Sequence, residues 1–177
     1  AQGRGTAAHY GLTDKVDLIM ATFSKAFASL GGVIAGDAEV IDYVKHNARA
    51  MIFSASMPPS NVAAAAAALE VIKEEPERVT RVQAIGERMR KGFRELGFNT
   101  LDSQTPIVPI LVGDETNTFM FWKALFEAGI FVNAVVPPAV QPKQSLLRTS
   151  YMATHTEAHL DRVLEVFEKI GKRLNII

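Results

Sequence analysis

The 177-residue chain has no cysteine. That excludes disulfides among its own elements, thiolate catalysis and cysteine-ligated metal. It has no excess of charge of either sign: 19 basic and 19 acidic residues balance to zero. A balanced chain gives no electrostatic case for nucleic acid or an anionic membrane. It has no long hydrophobic run, since the longest, Val62 to Leu69, is mostly alanine and too short to span a bilayer. The first residues carry no secretory leader pattern and no initiator methionine. The opening Ala1-Gln2-Gly3-Arg4-Gly5 reads as the middle of a longer chain. No internal repeat or low-complexity linker interrupts the sequence.

What remains is an ordinary globular composition, 48% hydrophobic and 21% charged. The length suits one domain, or one and a half, with a real core. The most informative segment is Val16-Asp17-Leu18-Ile19-Met20-Ala21-Thr22-Phe23-Ser24-Lys25-Ala26-Phe27, followed by Gly31-Gly32. An apolar run that reads as a buried strand stops in a short polar turn carrying one lysine. The glycines let the backbone bend and approach a ligand. A lysine at a strand end in a partly apolar site can lose its proton and form an imine with an aldehyde, as pyridoxal 5'-phosphate requires. Thr22 and Ser24 flank it with hydroxyls suited to a phosphate. Read in isolation, the same lysine is a solvated surface residue.

The pattern predicts a strand over Val16–Phe23 and a second over Gly32–Ala35, with the first dozen residues as loop. Asp37 caps a helix to about Asn47. Met51–Phe53 reads as another short strand. A loop over Ser54-Ala55-Ser56-Met57-Pro58-Pro59 leads into a small-residue helix, Asn61 to Lys73. After Pro76 a long amphipathic helix follows, with Val79, Val82, Ile85, Met89, Phe93 and Leu96 as its stripe and Gly97 at its end. Then come a strand over Ile107–Val112, a helix over Thr116–Ala128, and strands over Ile130–Val136 and Leu146–Met152. A final helix opens on the box Thr154-His155-Thr156-Glu157 and runs to about Leu174. Residues 1–75 therefore read as the end of an α/β layer, and residues 76–177 as a compact α+β domain.

Two further constellations bear on chemistry. Ser54 and its neighbours precede a helix N-terminus, where an anion can sit; the same residues also suit an ordinary capping loop. Arg148 lies in an otherwise apolar strand, where it needs an anionic partner. A substrate carboxylate or a protein acid would serve. His155 and His159 are spaced i, i+4 as a metal pair would be, but no third ligand completes a site, so capping and surface roles are favoured. Phe119, Trp122 and Phe126 are expected in the core.

These segments together resemble the C-terminal part of the α-oxoamine synthases. That family includes serine palmitoyltransferase, glycine C-acetyltransferase and 8-amino-7-oxononanoate synthase. The matching motifs are Gly3-Arg4-Gly5; Asp17 through Thr22-Phe23-Ser24-Lys25-Ala26; Phe53-Ser54-Ala55-Ser56-Met57-Pro58-Pro59; Pro137-Pro138-Ala139-Val140; and Leu147-Arg148-Thr149 leading to Ala153-Thr154-His155-Thr156. They stand in family order along essentially the whole chain. The resemblance implies the aspartate-aminotransferase (fold type I) α/β architecture, with residues 1–75 ending the large cofactor domain and 76–177 forming the small domain. It implies pyridoxal 5'-phosphate as cofactor, bound by Thr22, Ser24, Lys25, Ser54 and Ala55. Lys25 is then the imine-forming lysine and proton-transfer base. Ser54 and Ala55 reach the phosphate of a neighbouring subunit in a homodimer, and Arg148 holds the amino-acid carboxylate. The implied reaction is decarboxylative condensation of an amino acid with an acyl-CoA in a cytoplasmic enzyme, nearest in wording to serine palmitoyltransferase. The family's aspartate for the pyridine nitrogen and its ring-stacking histidine lie upstream of Gly3-Arg4-Gly5. Neither is among these residues. The alternatives are glycine C-acetyltransferase, 8-amino-7-oxononanoate synthase, another fold-type-I enzyme such as an aminotransferase, a non-catalytic partner or an inactive fragment.

Overall fold

A computed structural model describes residues 3–177; Ala1 and Gln2, at the head of the opening segment, lie outside the described residues. The chain divides into two compact units, the first ending at Glu77 and the second spanning Arg78–Ile177.

In the first unit the opening dozen residues are not all loop. They include a helical turn, α1 (Thr6–His9), and a 3-10 turn follows at Thr13–Lys15. Strand β1 (Leu18–Thr22) pairs antiparallel with β2 (Gly32–Gly36), from Leu18 opposite Gly36 to Thr22 opposite Gly32. The expectation of a buried strand is corrected here. β1 forms a two-stranded ribbon, and its apolar side chains stay open, Met20 to 69%. Helix α2 (Ala38–Asn47) follows Asp37, whose side chain makes no capping bond. Met51–Phe53 is not a strand either. It belongs to a short helix, α3 (Arg49–Ile52), because the amides of Ile52 and Phe53 find Ala48 and Arg49 carbonyls at 3.0 Å. A three-residue apolar run does not choose between the two conformations, and local i→i−4 bonds decided it. Helix α4 (Pro59–Glu74) starts with Pro59 in its first turn, where the missing N–H costs nothing.

The second unit opens with α5 (Glu77–Glu95), which buries Ile85, Met89 and Phe93 from the expected stripe. Gly97 follows with a φ of 99°, and Phe98 N–H returns to Phe93 O at 2.9 Å. Then come β3 (Ile107–Gly113), α6 (Glu115–Glu127), β4 (Asn133–Val135), β5 (Ser145–Ser150) and α7 (Glu157–Arg173). The sheet order is β3-β5-β4, antiparallel throughout. β4 is shorter than expected, since it forms only where β5 pairs with it, opposite Leu146 to Arg148.

One face of this sheet packs into the core and the other is only partly buried. Val108, Ile110 and Leu147 are fully buried and share a core with Met89, Phe93, Phe98, Phe121, Leu125, Leu160 and Phe167. The rings of Phe93 and Phe167 lie 4.9 Å apart and those of Phe121 and Phe167 5.4 Å, in edge-on geometry. Such pairs add about 0.5–1.5 kcal/mol beyond area burial. The α6 face was misread in part, since Trp122 packs against the core as expected. Thr118, Phe121 and Leu125 point inward, while Phe119 is exposed and Phe126 is 56% exposed. Asp114 caps α6, its carboxylate accepting from Asn117 N–H at 2.9 Å. The α7 cap also differs from the expected box. Thr156, not Thr154, is the N-cap, and His159 takes the place of the acidic partner.

Replacing Phe167 by alanine should destabilise the second unit by about 3–5 kcal/mol, the usual cost of a buried aromatic cavity. Replacing exposed Phe131 by alanine should stay within about 0.5 kcal/mol. Urea unfolding followed by tryptophan fluorescence checks both.

Candidate active site

The lysine turn is built by backbone bonds. Phe23 N–H donates to Gly31 O and Ser29 N–H to Phe23 O, both at 2.9 Å, and Ala28 N–H closes on Lys25 O at 3.0 Å. Ser29 Oγ then donates to Asn61 O at 2.8 Å, which ties the turn to the first residues of α4. The rings of Phe23 and Phe27 pack 5.3 Å apart beneath it. Gly31 has a φ of 90°, and a Cβ there would also meet the Met57 side chain, so another residue would be strained and would have to displace that side chain.

Three side chains converge on this turn. Thr22 Oγ1 and Ser24 Oγ lie 3.0 Å apart, and Lys25 Nζ donates to Ser24 Oγ at 3.4 Å. Two hydroxyls and an ammonium in one cluster make a donor set for a phosphate or another compact anion. The partly apolar setting expected for Lys25 is not formed by the described residues, and its side chain is exposed. Ser54 and Ala55 follow α3 and are exposed. Ser54 Oγ donates back to Ala50 O. Ala55 has no polar side-chain atom, so only its backbone can serve an anion. No hydrogen bond joins either residue to Thr22, Ser24 or Lys25 among the described residues. A cavity of about 540 Å³ beside Thr22 is lined by Met20, Val33, Ile34, Ile41, Val44 and Met51. Sequence reading placed those residues in secondary structure without seeing that they share a hollow.

Arg148 sits in the second unit, at the middle of β5. The strand is not uniformly apolar in its surroundings. Ser145, Leu147 and Thr149 are buried, whereas Arg148 is half-buried on the opposite face. Period-two alternation therefore removes the cost expected for an arginine inside a core. Among the described residues no ion pair or side-chain hydrogen bond engages its guanidinium, so no protein acid in this chain answers for it. The turn after β5 is held from α5. Arg81 Nε donates to Ala153 O at 2.8 Å and its Nη2 to His155 O at 2.9 Å.

The two histidines cap this region. His155 Nδ1 accepts from Met152 N–H at 3.1 Å, and His159 Nδ1 from Thr156 N–H at 3.3 Å. With Nδ1 so engaged, the proton of the neutral ring is on Nε2, which makes that atom a donor rather than a metal ligand. No cluster of metal-ligating side chains occurs among the described residues. The nearby Tyr151 hydroxyl is pushed above its ordinary range by burial, with a smaller opposing effect of Thr149.

A family description, aminotransferase class I and II, matches residues 2–167. The chain belongs to that family. Among curated relatives of this aminotransferase-family chain, a serine palmitoyltransferase of Bacteriovorax stolpii is 48% identical over 99% of the chain and 42% of its own length. An 8-amino-7-oxononanoate synthase of Thermosipho melanesiensis is 41% identical over all of the chain and 45% of its own length. A solved structure described as SPT with its PLP internal aldimine superposes with a TM-score of 0.94 at 31% identity, over 99% of this chain and 45% of that one. The mixed α/β fold is thus that of fold type I, as the motifs implied. The chain spans less than half the length of the curated relatives it matches.

Burial, and then the neighbouring His159, hold the His155 imidazole below its ordinary value of 6.5. The unfolded chain therefore binds more protons than the native state just below pH 6.5, and stability rises with pH through that window. It falls as the pH drops from 6.5 towards the native value, because the unfolded chain gains a proton that burial and the neighbouring His159 keep off the native ring. Substituting His155 by glutamine should flatten this slope in denaturant melts taken from pH 5 to 8. An NMR titration of the imidazole should place its midpoint below that of an unfolded peptide.

Proposed function

We propose that this chain supplies the lysine- and arginine-bearing part of a pyridoxal-phosphate-dependent enzyme that condenses an amino acid with an acyl-CoA and releases CO2 and CoA. Serine palmitoyltransferase is the relative whose activity fits best. The observation that carries the reading is the Thr22–Ser24–Lys25 cluster at the end of β1. It combines a phosphate-sized donor set with an amine that can bond covalently to an aldehyde, and the chemistry of pyridoxal phosphate needs both.

In this reading residues 1–75 end the cofactor domain and residues 76–177 form the small domain. Thr22 and Ser24 hydroxyls donate to phosphate oxygens, and Lys25 Nζ is the group that carries the cofactor's aldehyde carbon. Bound there, the cofactor supplies an electron sink that makes the substrate's α-proton removable. Lys25 Nζ would also be the base placed to take up that proton and return it. Arg148 holds the amino-acid carboxylate through a forked pair of N–H bonds, which fixes the orientation of the α-carbon. Ser54 and the backbone of Ala55 serve the phosphate of a neighbouring subunit in a homodimer.

A second reading, 8-amino-7-oxononanoate synthase, is favoured by the 41% identity to the Thermosipho melanesiensis enzyme over the whole chain. It differs in the amino acid and the acyl-CoA, not in the roles of Lys25 and Arg148. Turnover of the full-length protein with serine and palmitoyl-CoA, with identification of the product by mass spectrometry, separates the two.

Borohydride reduction of the full-length protein with pyridoxal phosphate should leave a pyridoxyl adduct on the peptide containing Lys25. Lys25→Ala should lose the adduct and the turnover while keeping its unfolding midpoint, because the side chain is exposed. Turnover retained by Lys25→Ala would reject the mechanism. Arg148→Ala should weaken amino-acid binding by about a hundredfold, the scale of charge-assisted hydrogen bonds, and leave acyl-CoA binding unchanged. Equal losses for both substrates would reject the carboxylate role.

A further inference from the structure

The partly buried face of the three-stranded sheet carries two polar side chains at one level. Arg148 on β5 stands opposite Asn133 on β4, and on its other side opposite Pro109 on β3. Residues directly opposite on antiparallel strands project to the same face, with Cβ atoms about 4.5–5.5 Å apart. Pro109 offers no polar side-chain atom. Asn133 is therefore the polar neighbour at the level of the guanidinium.

The position of Asn133 is set from the core side. Val132, just before it, is buried, and its carbonyl accepts from Trp122 Nε1 at 3.1 Å. Alternation along the strand then turns Asn133 outward, and it is exposed. Neither Asn133 nor Arg148 makes a side-chain hydrogen bond or ion pair among the described residues, with each other or with anything else. An arginine and an amide held side by side, each with its donors unspent, form a forked site for a planar acceptor. A carboxylate offers about four lone-pair positions, and a guanidinium fills two of them from one direction. An amide N–H from the next strand can fill a third.

We propose that Asn133 is a second substrate-binding residue, whose amide N–H donates to the carboxylate held by Arg148. This rests on the reading of Arg148 as the carboxylate-binding residue. It adds a geometric filter, since a ligand must present both oxygens edge-on to β5 and β4 at once.

The test uses the full-length protein loaded with pyridoxal phosphate, titrated with serine, with serine amide and with acyl-CoA, and followed by calorimetry and visible absorbance. Asn133→Ala should weaken serine binding about tenfold, the scale of one hydrogen bond to a charged group. Its affinities for acyl-CoA and serine amide should match those of the parent. Asn133→Asp, nearly the same shape, should be worse for serine than Asn133→Ala, because its carboxylate pairs with Arg148 and repels that of the substrate. Serine binding unchanged in Asn133→Ala overturns the proposal, and so does an equal loss in the alanine and aspartate variants. If Arg148→Ala weakens serine and Asn133→Ala does not, the Asn133 assignment alone is lost. If Arg148→Ala leaves serine binding intact, the reading of Arg148 is lost with it.

Discussion

The second unit depends on the alternation of side chains along β5. This strand lies between β3 and β4, so both of its edges are hydrogen-bonded and its register is set twice. Leu147 and Thr149 face the aromatic core, and Thr149 Oγ1 donates to Val108 O at 2.9 Å, which satisfies its hydroxyl inside. Arg148, between them, has to face outward. A slip of one residue would drive the guanidinium into the core and lift Leu147 out of it, at a cost of several kcal/mol. Burial of the core thus turns the arginine to the opposite face of the sheet.

The first unit works by a different rule. Its lysine turn is held by short backbone bonds and by the Ser29–Asn61 link to α4, with little apolar burial around it. The ribbon of β1 and β2 leaves Leu18, Met20, Val33 and Ile34 exposed. A turn defined by hydrogen bonds can keep Thr22, Ser24 and Lys25 in one cluster while the apolar faces beside it remain open.

The helix α5 links packing to the site in the second unit. Its inward stripe packs on the core through Ile85, Met89 and Phe93, while Arg81 and Arg88 on its outer side reach the start of α7. Arg81 also holds two carbonyls of the turn that follows β5. Exposed ion pairs of this kind contribute little to stability. Here their consequence is geometric, because they settle where the chain turns after the arginine strand.

Much of the site was legible in the sequence. The lysine after two hydroxyls, the glycines beyond it and the arginine before Thr149 stand out as candidates by residue type and order. Helix spans were legible for the same kind of reason: α5 carries a repeat of apolar positions long enough to be unambiguous, and Pro59 and Gly97 mark ends through backbone constraints local to themselves. Met51–Phe53 was not legible, because three apolar residues fit either period and the Ala48 and Arg49 carbonyls were the deciding partners. The inward face of α6 was not legible either. Every position from Phe119 to Trp122 is large and apolar, so only the sheet beneath could select Phe121. The exposure of β1 and the pairing of Arg148 with Asn133 also needed tertiary structure. Strand neighbours and covering layers are set by contacts between residues far apart in the chain, and residue identity alone does not encode which of those contacts form. Local chemistry, caps and periodicity were thus determined by the sequence by itself, while faces, register and company were decided only when the strands came together.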